Sequence, residues 1–83
     1  MSNIQESPAK KRQWLIEARK AFPVGTVVVV RETDRSDMKE YVGKKGTVVD
    51  YDVGSMGDWP WIDVRLHGGG LESFYDDELR GET

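Results

Sequence analysis

The chain has no cysteine, a single histidine and three prolines among its 83 residues. Without cysteine, neither a disulfide framework nor a thiolate zinc site can reinforce a small fold. No apolar run approaches the roughly 18 residues of a membrane-spanning helix. The N-terminus also lacks an apolar signal core, so a cytoplasmic location is expected. His67 is too isolated to act as a base: neither Ser55 nor Ser73 sits in a G-x-S-x-G elbow. Gly68–Gly70 leads into Leu71, a strand residue, so no helix N-terminus follows to receive a phosphate. Asp50, Asp52 and Asp58 gather around Gly54. Counted from Asp50, however, an EF-hand would need a ligand at Gly54 and a bidentate Glu at Trp61. Asp76, Asp77 and Glu78 read as a solvated turn. Ordering each residue costs about 1.5 kcal/mol, which leaves a chain of this size little room to build a large cofactor cavity. The expectation is a non-enzymatic protein with no metal and no cofactor.

What the chain does have is charge, unevenly spread. A net charge of −3 conceals a basic first segment and an acidic remainder. Residues 1–24 hold five Lys/Arg against two Asp/Glu, a net of +3, whereas residues 25–83 hold seven against thirteen, a net of −6. Pro23 and Gly25 mark the seam. Residues 1–7 are expected to be disordered and residues 8–22 to form an amphipathic helix. Ser7–Pro8 suits an N-cap followed by a first-turn proline. Trp14, Leu15, Ala18 and Phe22 form one apolar stripe, and Pro23 stops the helix. Lys10, Lys11 and Arg12 in the first turns oppose the helix dipole. Either the helix starts late and frays, or these cations serve an anionic partner.

From Val27 the pattern changes to β. Four consecutive valines favour a strand covered on both faces. A polar loop spans residues 32–45, a second strand Gly46–Tyr51, and a turn-rich stretch Asp52–Pro60. Trp61–Leu66 alternates cleanly, with Ile62, Val64 and Leu66 on one face and Trp61, Asp63 and Arg65 on the other. A glycine hairpin, a short strand Leu71–Phe74 and a single helical turn Tyr75–Leu79 follow. Residues 81–83 are expected to be loose.

The run Tyr41–Asp50 has the spacing G-x-x-G-x-V at Gly43, Gly46 and Val48. After it come Pro60-Trp61-Ile62-Asp63-Val64-Arg65-Leu66 and Phe74-Tyr75-Asp76-Asp77-Glu78-Leu79. This order resembles SH3-like barrels of the KOW type. It is similar also to the small-barrel subunit of photosystem I and to the variable subunit of ferredoxin–thioredoxin reductase. The resemblance covers residues 25–80. It implies a mainly β protein, an SH3-like barrel of four to five short antiparallel strands, preceded here by an amphipathic helix. It implies, too, a docking or nucleic-acid-contacting module rather than an enzyme. Two departures stand out: little chain follows Leu79, so a fifth strand is very short or absent, and this barrel is acidic where RNA-gripping KOW domains are basic.

Aromatic residues beside acids mark the expected contact surface. Tyr41, Tyr51, Trp59, Trp61 and Tyr75 offer large contact area at low entropic cost, and Asp58 and Asp63 would select a protein with a basic surface. Trp61 and Tyr51 have a second reading, as packing beneath the helix. The alternative function is RNA or DNA binding through Lys10, Lys11, Arg12, Arg19 and Lys20 of the helix with Lys39, Lys44 and Lys45 of the first loop. The expected state is a monomer, or a homodimer with the helix stripe around Trp14 as its seam.

Overall fold

The computed structural model describes residues 8–53 and 60–82. The expected disorder of residues 1–7 and the contact residues Asp58 and Trp59 lie outside the described residues. A helix, α1 (Pro8–Ala21), precedes five strands: β1 (Val27–Val30), β2 (Lys45–Asp52), β3 (Trp61–Leu66), β4 (Leu71–Phe74) and β5 (Leu79–Gly81). All pairings are antiparallel, in the order β4-β3-β2-β1-β5, so the last strand returns to lie beside the first. The fold is mainly β, as the sequence pattern implies. The fifth strand is present though short. Gly81, expected to be loose, pairs with Val28, and the Glu82 amide donates to the Val27 carbonyl.

This sheet has to curl. Flat, its edge strands β4 and β5 would stand four spacings of about 4.8 Å apart, roughly 19 Å. Only residues 75–78 connect them, and Asp76–Glu78 is a 3-10 turn, which rises about 2 Å per residue. Curling gathers Val28, Val30, Val48, Ile62, Val64, Leu66, Phe74 and Leu79 into one buried core. The valine run is covered on both sides as its composition suggests: Val28 and Val30 face the core, and Val29 is buried on the other face. The polar loop is more ordered than its composition implies. Ser36–Tyr41 forms a 3-10 helix that buries Met38 in the core.

Helix α1 packs on this barrel through Trp14 and Ala18, with Leu15 and Phe22 half-buried beside them. The Tyr51 hydroxyl donates to the Phe22 carbonyl at 2.6 Å, fixing the C-terminal end of the helix. The Arg19 guanidinium lies 5.9 Å from the centre of the Tyr51 ring. Trp14 is therefore spent within one chain, and its stripe is not available as a dimer seam.

The two glycines of the G-x-x-G-x-V spacing have different reasons. Gly43 takes φ +87°, in the left-handed region, with open space where a Cβ would stand. Gly46 lies against β3: a Cβ there would come within 2.5 Å of Val64 Cγ1 and 2.8 Å of the Arg65 carbonyl oxygen. Gly46→Ala must push strands apart and should cost about 1–3 kcal/mol, as overpacking does. Gly43→Ala should cost only the left-handed penalty, roughly 1–2 kcal/mol. Urea unfolding of the two variants checks both the sizes and the cause: a change of m-value is expected for neither.

Candidate docking face

The face of the sheet turned away from the core depends on one irregularity. Register shifts between Val48 and Asp50 in β2, a β-bulge at Val49. Strict alternation from the inward Val48 would send Asp50 and Asp52 into the core and Tyr51 outward. The extra residue reverses that. Tyr51 pairs with the core residue Ile62 and packs inward, while Asp50 stands opposite Asp63 and Asp52 opposite Trp61 on the outer face. The Asp50 carboxylate accepts a hydrogen bond from the Tyr51 amide at 2.8 Å, which supports the bulge. Asp63 accepts one from the Ser73 hydroxyl at 2.7 Å. Trp61 is half-buried on this outer face, separate from Leu15, Phe22, Tyr41 and Tyr51, the half-buried side chains that pack on the core. Leu71, also outward, is 57% exposed.

Of the expected contact residues, the structure thus brings Trp61 and Asp63 together and adds Asp50 and Asp52. It disperses the other three. Tyr51 holds the helix, and burial raises its hydroxyl pKa, with the nearby Arg19 charge opposing. Tyr41 meets Phe74 edge-on, with ring centres 6.1 Å apart, and donates to Glu72 at 3.1 Å. That hydrogen bond, with lesser help from burial and Glu40, pushes its phenol up to about 12. Tyr75 lies beneath the Arg35 guanidinium, 4.7 Å from its ring centre.

The fold resembles one already solved. It is similar to the cyanobacterial cytochrome b6f complex subunit PetP, known from a solution structure, with a TM-score of 0.64 and 18% identity over 81% of this chain and 87% of that one. Identity this low carries the architecture alone: a small SH3-like β fold. No family model and no curated protein matches the sequence.

The lysines of the first loop do not share one groove. Lys39 lines an open groove with Arg31, Glu32, Asp34, Tyr75 and Asp77, a surface of mixed sign. Lys44 and Lys45 line a separate, smaller groove with Tyr41 and His67. Lys45 forms an ion pair with Glu82, which holds that carboxyl below its ordinary pKa. On the helix, Lys10 and Lys11 both have partners. Among the described residues, no group of three or more His, Cys, Asp or Glu side chains is placed to hold a metal, and no helix is long and apolar enough to cross a membrane.

Sequence reasoning missed one cluster altogether. Glu78, read as solvated, is 4% exposed. Its carboxylate accepts from Arg35 Nη2 at 2.7 Å and Nε at 2.9 Å, from the Tyr75 amide at 2.8 Å, and from the hydroxyl of buried Thr33. Arg35 Nη2 also donates to the Ser73 carbonyl of β4 at 3.1 Å. Arg35 and Glu78 lie 43 positions apart, so no local spacing announces the pair; the Glu of the closing F-x-x-D-E-L element is the one signal available. Burial by itself pushes Glu78 up, but the bonds from Arg35, Thr33 and Tyr75 outweigh it and hold the carboxyl below its ordinary range. Arg35, bonded to that carboxylate, is raised in turn.

Because the folded pKa lies below the unfolded one, this stabilisation is complete above the unfolded value and is lost as pH falls through the folded pKa. Arg35→Ala leaves Glu78 buried without its ion partner and should cost roughly 2–4 kcal/mol at neutral pH, less than a fully buried pair because Arg35 is a third exposed. Chemical denaturation from neutral to acid pH should show the difference between wild type and Glu78→Gln shrinking as the carboxylate protonates.

Proposed function

We propose that this protein is a small binding module with no catalysis of its own, which docks its acidic outer face on the basic surface of another protein. The observation that carries this reading is the direct opposition of Asp50 and Asp63 across β2 and β3. Like charges at opposed positions destabilise a sheet, and the hydrogen bonds that Asp50 and Asp63 accept from the Tyr51 amide and the Ser73 hydroxyl need an oxygen acceptor there but not a charge. A cationic partner turns the repulsion into attraction, and Trp61 beside them supplies an aromatic contact surface. The role of PetP as a subunit of the cytochrome b6f complex supports reading this architecture as one that serves within protein assemblies. The finer likeness to KOW barrels rests on the G-x-x-G-x-V spacing, which in this chain accompanies an acidic rather than a phosphate-gripping surface.

Asp50→Asn should raise stability by about 0.2–1 kcal/mol by relieving the opposition. The same change should weaken binding of an oligolysine peptide, with a salt dependence typical of exposed charges. Thermal melting reads the first effect, and NMR titration reads the second through amide shifts on β2 and β3. Shifts confined to the mixed-charge groove around Tyr75, or an Asp50→Asn variant that is less stable and binds as well, would overturn the assignment.

A further inference from the structure

We infer that the cationic segment received by the acidic face is helix α1 of a second copy of this chain, so that copies associate head to tail. The inference rests on the acidic face being a docking surface. Its independent support is on the helix. Arg12, Ile16 and Lys20, at spacings of four, form a stripe that is exposed throughout. Ile16 is 50% exposed, an apolar side chain set between two cations. The stripe is about 12 Å long. It points away from its own barrel, because Trp14 and Ala18 on the opposite side of the helix are buried in the core and the Tyr51–Phe22 hydrogen bond fixes the C-terminal end.

The helix is also built at odds with its own dipole. No acidic residue occupies its first turn, which carries Lys10 and Lys11 with Arg12 just beyond. Lys10 and Lys11 already have partners; a carboxylate from outside, brought to Arg12, would add compensation for the positive end of the dipole. The sheet has the converse defect, acids opposed to acids. Each surface supplies what the other lacks: Arg12 and Lys20 for Asp50 and Asp63, and Ile16 for the exposed flank of Trp61. One chain cannot satisfy both surfaces by itself, since α1 is already docked by its other side. The contact is therefore heterologous, joining two different patches.

The test uses the full chain and two double variants, Asp50→Lys/Asp63→Lys and Arg12→Glu/Lys20→Glu. Light scattering coupled to size exclusion at low ionic strength should give wild type a mass that rises with concentration and returns to that of one chain in high salt. Each variant alone should stay at the mass of one chain, because it keeps only one working face. An equal mixture should associate again, because the retained helix of one variant meets the retained acidic face of the other and the two reversed surfaces complement each other as well. Circular dichroism and thermal melting verify that both variants fold; where the lysine variant does not, Asp50→Asn/Asp63→Asn replaces it. A wild type that remains a single chain while still binding oligolysine sinks the inference and leaves the docking face standing. Self-association that the mixture fails to reproduce also sinks it, by placing the contact elsewhere. Loss of both oligolysine binding and self-association removes the inference and the docking face together.

Discussion

The barrel is closed at one seam by a single guanidinium. Backbone ladders join β4 to β3, β3 to β2, β2 to β1 and β1 to β5. Between β4 and the start of β5 the described connection is made by Arg35, which reaches from the loop after β1 to the Ser73 carbonyl on one side and the Glu78 carboxylate on the other. The Arg31 amide donates to the Glu78 carbonyl, so the closing turn is tied to the end of β1 as well. Thr33 and the Tyr75 amide complete the coordination of the carboxylate, which is why a charge can be buried here at all. The long first loop, the 3-10 turn and the short last strand all take their positions from this cluster.

Local chemistry made much of the fold legible. Pro8 and Pro23 bracket a helix because one suits a first turn and the other forbids continuation. Four valines and the alternation of Trp61–Leu66 specify strands through Cβ branching and a two-residue period. The sequence does not announce the bulge at Val49, since any residue can be the extra one. That slip decides whether Tyr51 or its acidic neighbours face outward, and so it takes Tyr51 out of the expected contact set and brings Asp50 and Asp52 to the outer face. The Arg35–Glu78 pair was equally hidden: charged residues in polar stretches look solvated until distant chain brings them together.

The outer face and the helix share a thermodynamic character. Both carry arrangements that an isolated monomer would be better without, acids facing acids on one and cations at the wrong end of a dipole on the other. Stability alone would remove such features by single substitutions, since exposed positions tolerate change freely. Among the described residues, the core shows no comparable concession beyond the Trp14 indole N–H, buried without an acceptor. Its cost, about 1–3 kcal/mol, is of the same order as the gain from burying the rest of so large a ring.

The bulge at Val49 has a consequence for how this surface could arise. A strand is read in twos, so inserting or deleting one residue exchanges its inner and outer lining at a stroke. Downstream of Val49, a cryptic acidic lining and a displayed one differ by that one slip in phase. The acidic lining of this face is therefore inseparable from the slip at Val49.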